Sequence, residues 1–124
     1  MIETLSGFPD NVVACAATGR VTGQDYERVL IPAVERALAT HDKIRCYYEL
    51  GAEFAGMDAG AAWHDFTVGV EHLARWERIA VVTDVAWIAH AVNAFGFLMP
   101  GAVRVFPTAA REEARRWVAA SGKA

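Results

Sequence analysis

The sequence predicts an α/β layered domain, a mixed five-stranded sheet with about four helices packed on it in the order β-β-α-β-α-β-α-β-α. Three observations lead there. Residues 12–18, 44–50, 79–83 and 103–106 are short apolar runs of the length and β-branched character of strands buried on both faces of a parallel sheet. The stretches between them repeat apolar residues at helical spacing. At the N-terminus, residues 2–5 are separated from the next run by Gly7 and Pro9-Asp10-Asn11, turn chemistry that predicts an antiparallel hairpin at one edge. With 124 residues the chain is one domain, 1–124, able to bury about two-thirds of its unfolded surface.

In chain order, Gly19 is expected to end the second strand, and Thr22 with Asp25 three residues on forms a capping box with Asp in place of Glu. In the helix that follows, Tyr26, Val29, Leu30, Ala33, Ala37 and Leu38 form one apolar stripe. Glu27, Arg28, Glu35 and Arg36 face outward. Pro32 removes one backbone hydrogen bond and predicts a kink near the helix middle. In the third strand Tyr47 and Tyr48 must point to opposite faces, because the strand period is two. The glycine-rich stretch 51–60 reads as a flexible loop. After it a helix is expected with Trp63, Phe66, Val70 and Leu73 on one face and His64, Asp65, Glu71, His72 and Arg75 on or near the other. Asp84 is the expected N-cap of the next helix. Thr108 is the expected cap of the last helix, with Ala110, Ala114, Trp117 and Val118 inward and Arg111, Glu112, Arg115 and Arg116 outward.

Composition narrows the function. The net charge is −3 and the Lys and Arg residues are scattered, so there is no basic face for a phosphate backbone and nucleic acid is not an expected partner. The start MIETLSGF has none of the marks of a secretory signal, and the expected location is the cytoplasm. Cys15 and Cys46 lack a CxxC partner and read as small core residues of a reducing compartment. Gly51 and Gly56 have P-loop spacing, but Met57 and Asp58 stand where Lys and Ser or Thr would hold phosphate and magnesium. His41, His64, His72 and His90 include no i, i+4 pair and no HExxH, so no metal is expected. The serines are Ser6 and Ser121, and neither lies in a nucleophile elbow. No cofactor and no catalytic residue are predicted.

One stretch departs from the ordinary pattern. From Val85 to Val103 no residue carries a formal charge, and the helix expected over residues 86–99 has only His90 and Asn93 as strongly polar members. A helix covering a sheet normally turns a charged face to water, so an uncharged one calls for a ligand, a membrane surface, a partner or another part of the chain to cover it. It is too short for a bilayer, which needs about 20 apolar residues. The candidate lining of a nonpolar site is Trp63, Phe66, Val70, Trp87, Ile88, Ala91, Phe95 and Leu98, with His90 and Asn93 as polar contacts.

The chain also resembles the SpoIIAA-like family, a branch of the STAS and SEC14-like α/β folds. The matching residues are Gly19, Asp25-Tyr26 and Pro32, the run from Glu77 through Asp84 with Trp87, and Val103-Arg104-Val105-Phe106 with Ala114 and Trp117. The resemblance implies a mixed sheet with helices packed on it and no catalytic machinery. For this branch it also implies a carrier of nonpolar, lipid-like molecules with peripheral membrane contact. In the wider STAS group a phosphorylatable serine opens the helix after the third strand. Here that stretch is Met57-Asp58-Ala59-Gly60-Ala61, which has no hydroxyl, so the phosphorylation switch is not carried over. Two readings stand from sequence: a non-enzymatic carrier of a nonpolar ligand with peripheral membrane association, and a STAS-type protein-interaction module burying the same face in a partner or a homodimer.

Overall fold

The structure is a computed structural model that describes residues 1–58, 60, 67, 71, 73–97 and 101–120. Five strands form one sheet in the spatial order β1-β2-β3-β4-β5: Ile2–Thr4, Val12–Val21, Ile44–Met57, Trp76–Thr83 and Ala102–Phe106. β1 runs antiparallel to β2, and every later pair is parallel. Consecutive parallel strands in sequence order, joined by right-handed crossovers, place their connecting helices on one face. Helix α1, made of the contiguous segments Gly23–Asp25, Tyr26–Leu30 and Ile31–Thr40, and helix α2, Ala86–Gly96, share that face. The last helix, α3 (Arg111–Ala119), follows the 3-10 turn Thr108–Ala110 and covers the opposite face.

Strand alternation sorts the core into two layers. Val13, Cys15, Cys46, Tyr48 and Val81 pack under α1 and α2 with Tyr26, Leu30, Val34, Ala37 and Ile88. Val12, Ala14, Tyr47, Ala80, Val82 and Phe106 pack under Ala114 and Val118 of α3. The neighbouring tyrosines therefore serve different layers, as period two requires. Tyr48 meets Tyr26 hydroxyl to hydroxyl at 3.0 Å, and Tyr47 lies 5.0 Å from the Phe8 ring.

Two expectations at the strand ends are corrected. β2 does not stop at Gly19 but continues to Val21, and β3 continues through most of the predicted 51–60 loop to Met57. The extension pairs irregularly, with Ala17 opposite Leu50 but Gly19 opposite Phe54, so β3 gains residues that β2 lacks. Gly19 at φ 61° and Gly56 at φ 139° supply backbone conformations that side-chain-bearing residues avoid. The glycines signal a bulge here, not a loop.

The Thr22–Asp25 capping box forms as expected, with Thr22 N–H 2.8 Å from the Asp25 carboxylate and Asp25 N–H 3.3 Å from the Thr22 hydroxyl. The irregularity expected at Pro32 takes the form of a π turn, Tyr26–Leu30, in which the Ile31 N–H donates to the Tyr26 carbonyl. Widening the helix just before Pro32 accommodates a residue that has no N–H and whose ring crowds the preceding turn.

Three arginines tie helix ends to the sheet. Arg75, expected on an outer helix face, instead donates to the carbonyls of Leu38, His41 and Asp42 at 3.1, 2.8 and 2.9 Å and so caps the C-terminus of α1. Arg45 and Arg78, both buried on adjacent strands, reach the C-terminus of α3. Cations at these carbonyl-rich ends match the negative pole of each helix. Between β3 and β4, Gly60, Thr67 and Glu71 have helical backbone. The predicted positions Trp63, His64, Asp65, Phe66, Val70 and His72 lie outside the described residues.

Candidate functional site

Helix α2 connects β4 to the edge strand β5. Its first turn is set by Thr83, whose hydroxyl accepts from the Val85 N–H at 3.1 Å. Val85 is the N-cap and has no side-chain cap bond. The expected capping by Asp84 is corrected: its carboxylate accepts from the Thr108 N–H at 3.0 Å and the Thr108 hydroxyl at 2.5 Å. Thr108 offers two donors in one geometry and holds the Asp84 carboxyl below its ordinary range. Thr108 in turn opens the 3-10 turn and does not cap α3, whose N-cap is Ala110 without a side-chain bond.

The inner face of α2 is ordinary. Ile88 is buried, and Val85, Val92 and Phe95 pack against the same core layer. The outer face is not. Trp87 is 58% exposed and Phe97, just past the helix end, is 92% exposed, while His90, Ala91, Asn93 and Ala94 are exposed between them. Among the described residues, three large apolar side chains stand exposed; two are Trp87 and Phe97 and the third is Met1. An exposed helix face without charge and with an aromatic side chain at each end is a candidate interaction surface.

The predicted lining residues therefore divide. Trp87 and Ala91, with the polar contacts His90 and Asn93, lie on the open face, whereas Ile88 and Phe95 turn toward the core. Trp63, Phe66, Val70 and Leu98 lie outside the described residues. A surface cleft of about 340 Å³, lined among others by Thr4, Asp10, Arg36 and Thr40, lies between β1, β2 and α1. It sits at the β1 side of the sheet, whereas α2 packs on β5 at the other edge.

Beneath α3 lies a polar cluster that the sequence reading missed. The buried Tyr47 hydroxyl donates to Glu49 at 2.6 Å, Arg111 lies 3.5 Å from the other Glu49 oxygen, and Arg115 stacks over Phe8 and Tyr47 at 4.8 and 5.5 Å. Burial, then the bond to Glu49, pushes the Tyr47 phenol far up, so it stays protonated. Arg115, expected to face solvent, lays its guanidinium over the aromatic rings instead. The cluster pins α3 to the sheet. Elsewhere among the described residues, no group of His, Cys, Asp and Glu is placed to hold a metal ion, and no helix is long and apolar enough to cross a membrane.

Comparison with known proteins matches the fold on two levels. A family model described as SpoIIAA-like matches residues 12–119, from the start of β2 to the end of α3. The crystal structure of an uncharacterized protein from the DUF3478 family with a SpoIIAA-like fold, from Shewanella loihica PV-4, is similar over 95% of this chain and 92% of that one. The two share 26% sequence identity with a TM-score of 0.74. Comparison with curated proteins gives no match. The family match covers the whole sheet except β1 together with all three described helices, and on it the chain belongs to the SpoIIAA-like family.

Proposed function

We propose that the chain is a non-enzymatic docking module whose recognition surface is the outer face of α2. One observation carries the reading: Trp87 and Phe97 stand exposed at the two ends of a helix face that bears no formal charge. Large aromatic side chains held on a rigid element are the usual anchors of protein interfaces. Four charged side chains off this face are engaged in holding the fold. Asp84 binds Thr108, Arg45 and Arg78 hold α3, and Glu49 holds Tyr47. The absence of a hydroxyl in the Met57 to Ala61 stretch makes this a module without the phosphorylation switch of the wider STAS group.

A second reading has its own support. Exposed Trp and Phe are also the side chains that enter the apolar boundary of a lipid layer, which fits a carrier of a nonpolar ligand with peripheral membrane contact. It ranks second because no Lys or Arg lies between Arg78 and Arg104 to draw α2 to anionic headgroups, and the net charge is −3.

A photo-crosslinking residue placed at Ala94 in living cells, with Glu35 on the charged face of α1 as the control position, tests both. A protein adduct formed at position 94 and not at position 35 supports the docking reading. Adducts to lipid alone replace it with the carrier reading. Equal labelling at the two positions removes both.

A further inference from the structure

We draw no further inference here: the strongest candidate, the uncharged outer face of α2 between Trp87 and Phe97, belongs to the docking surface already described, and nothing in the structure shows what covers it.

Discussion

The Asp84 carboxylate accepts both the backbone N–H and the hydroxyl of Thr108, at 3.0 and 2.5 Å, and so joins the end of β4 to the turn that starts the C-terminal helix. Asp84 sits at a strand end of a SpoIIAA-like sheet, where an acidic residue invites a catalytic or phosphate-accepting reading. Here both donors of Thr108 engage it, and it ties the strand end to that turn.

The bond makes a pH-dependent prediction. Thr108 lowers the Asp84 pKa in the folded state. A lowered carboxyl pKa contributes stability that is complete above the unfolded value, about 3.9, and is lost as pH falls through the folded value. Asp84→Asn is therefore expected to melt below the native chain at pH 7, with the gap shrinking once the pH drops under about 4. Thermal unfolding at several pH values reads this directly. A gap of the same size at acid pH shows that the charge contributes nothing.

The C-terminal helix hangs on two buried guanidinium groups. Arg45 donates to Glu77 at 2.6 Å and to the carbonyls of Val118 and Ala120 at 2.9 and 2.5 Å, and Arg78 donates to the Trp117 carbonyl at 2.6 Å. Replacing Arg45 with Met leaves a carboxylate and two helix-end carbonyls without this donor, a loss of about 3 kcal/mol in denaturant unfolding. Arg45→Lys is expected to restore little, because a single ammonium does not span acceptors that a planar fork reaches. Amide exchange follows the same change: protection in Arg111–Ala119 falls before that of β3 and β4. If both variants unfold at the native denaturant midpoint, α3 is held by its apolar face alone.

How much of this was legible in the sequence follows from the range of each signal. The strand alternation that separates Tyr47 from Tyr48, the Thr22–Asp25 box and the apolar stripe of α1 are local patterns, and each is in place. The open face of α2 was also legible, since missing charge is visible without a structure. The misread residues act at a distance. Asp84 looks like a cap until Thr108 arrives from 24 positions away, and Arg115 looks solvent-facing until Phe8 is folded beneath it. The glycines of the 51–60 stretch signal a turn by composition. Only the continuation of β2 past Gly19 shows that they lie in a paired strand. For the site, Trp63, Phe66, Val70 and Leu98 lie outside the described residues, so the lining is traced for α2 alone.

The two cysteines give a simple chemical test of the core. Cys15 is fully buried, and burial raises its thiol pKa to about 11. The thiolate is the reactive form, so at pH 8 the native protein is expected to resist an aromatic disulfide reagent at both Cys15 and Cys46. Two thiols per chain react after denaturation. Rapid labelling of the native chain instead shows that β2 and β3 open to solvent on the timescale of the reaction.

Two glycines flanking the end of α2 are expected to respond in opposite ways. A Cβ on Gly101 stands 2.5 Å from the Trp76 carbonyl oxygen and 2.6 Å from that of Glu77, backbone atoms at the start of β4 that have no freedom to withdraw. Gly101→Ala therefore forces β5 away from β4 and is expected to cost about 2 kcal/mol, at the middle of the range for overpacking. A Cβ on Gly96 meets only the Val103 side chain, at 3.4 Å. Gly96 has an ordinary helical backbone, so Gly96→Ala is expected to be neutral or to stabilise by up to about 1 kcal/mol through helix propensity. Urea unfolding of the two variants side by side separates backbone contact from intrinsic propensity. Because β5 is the edge strand on which α2 rests, Gly101→Ala is also expected to shift the exposed Trp87 fluorescence, and Gly96→Ala to leave it unchanged. Equal destabilisation by both would place the β4–β5 contact at Gly101 further apart than the structure has it.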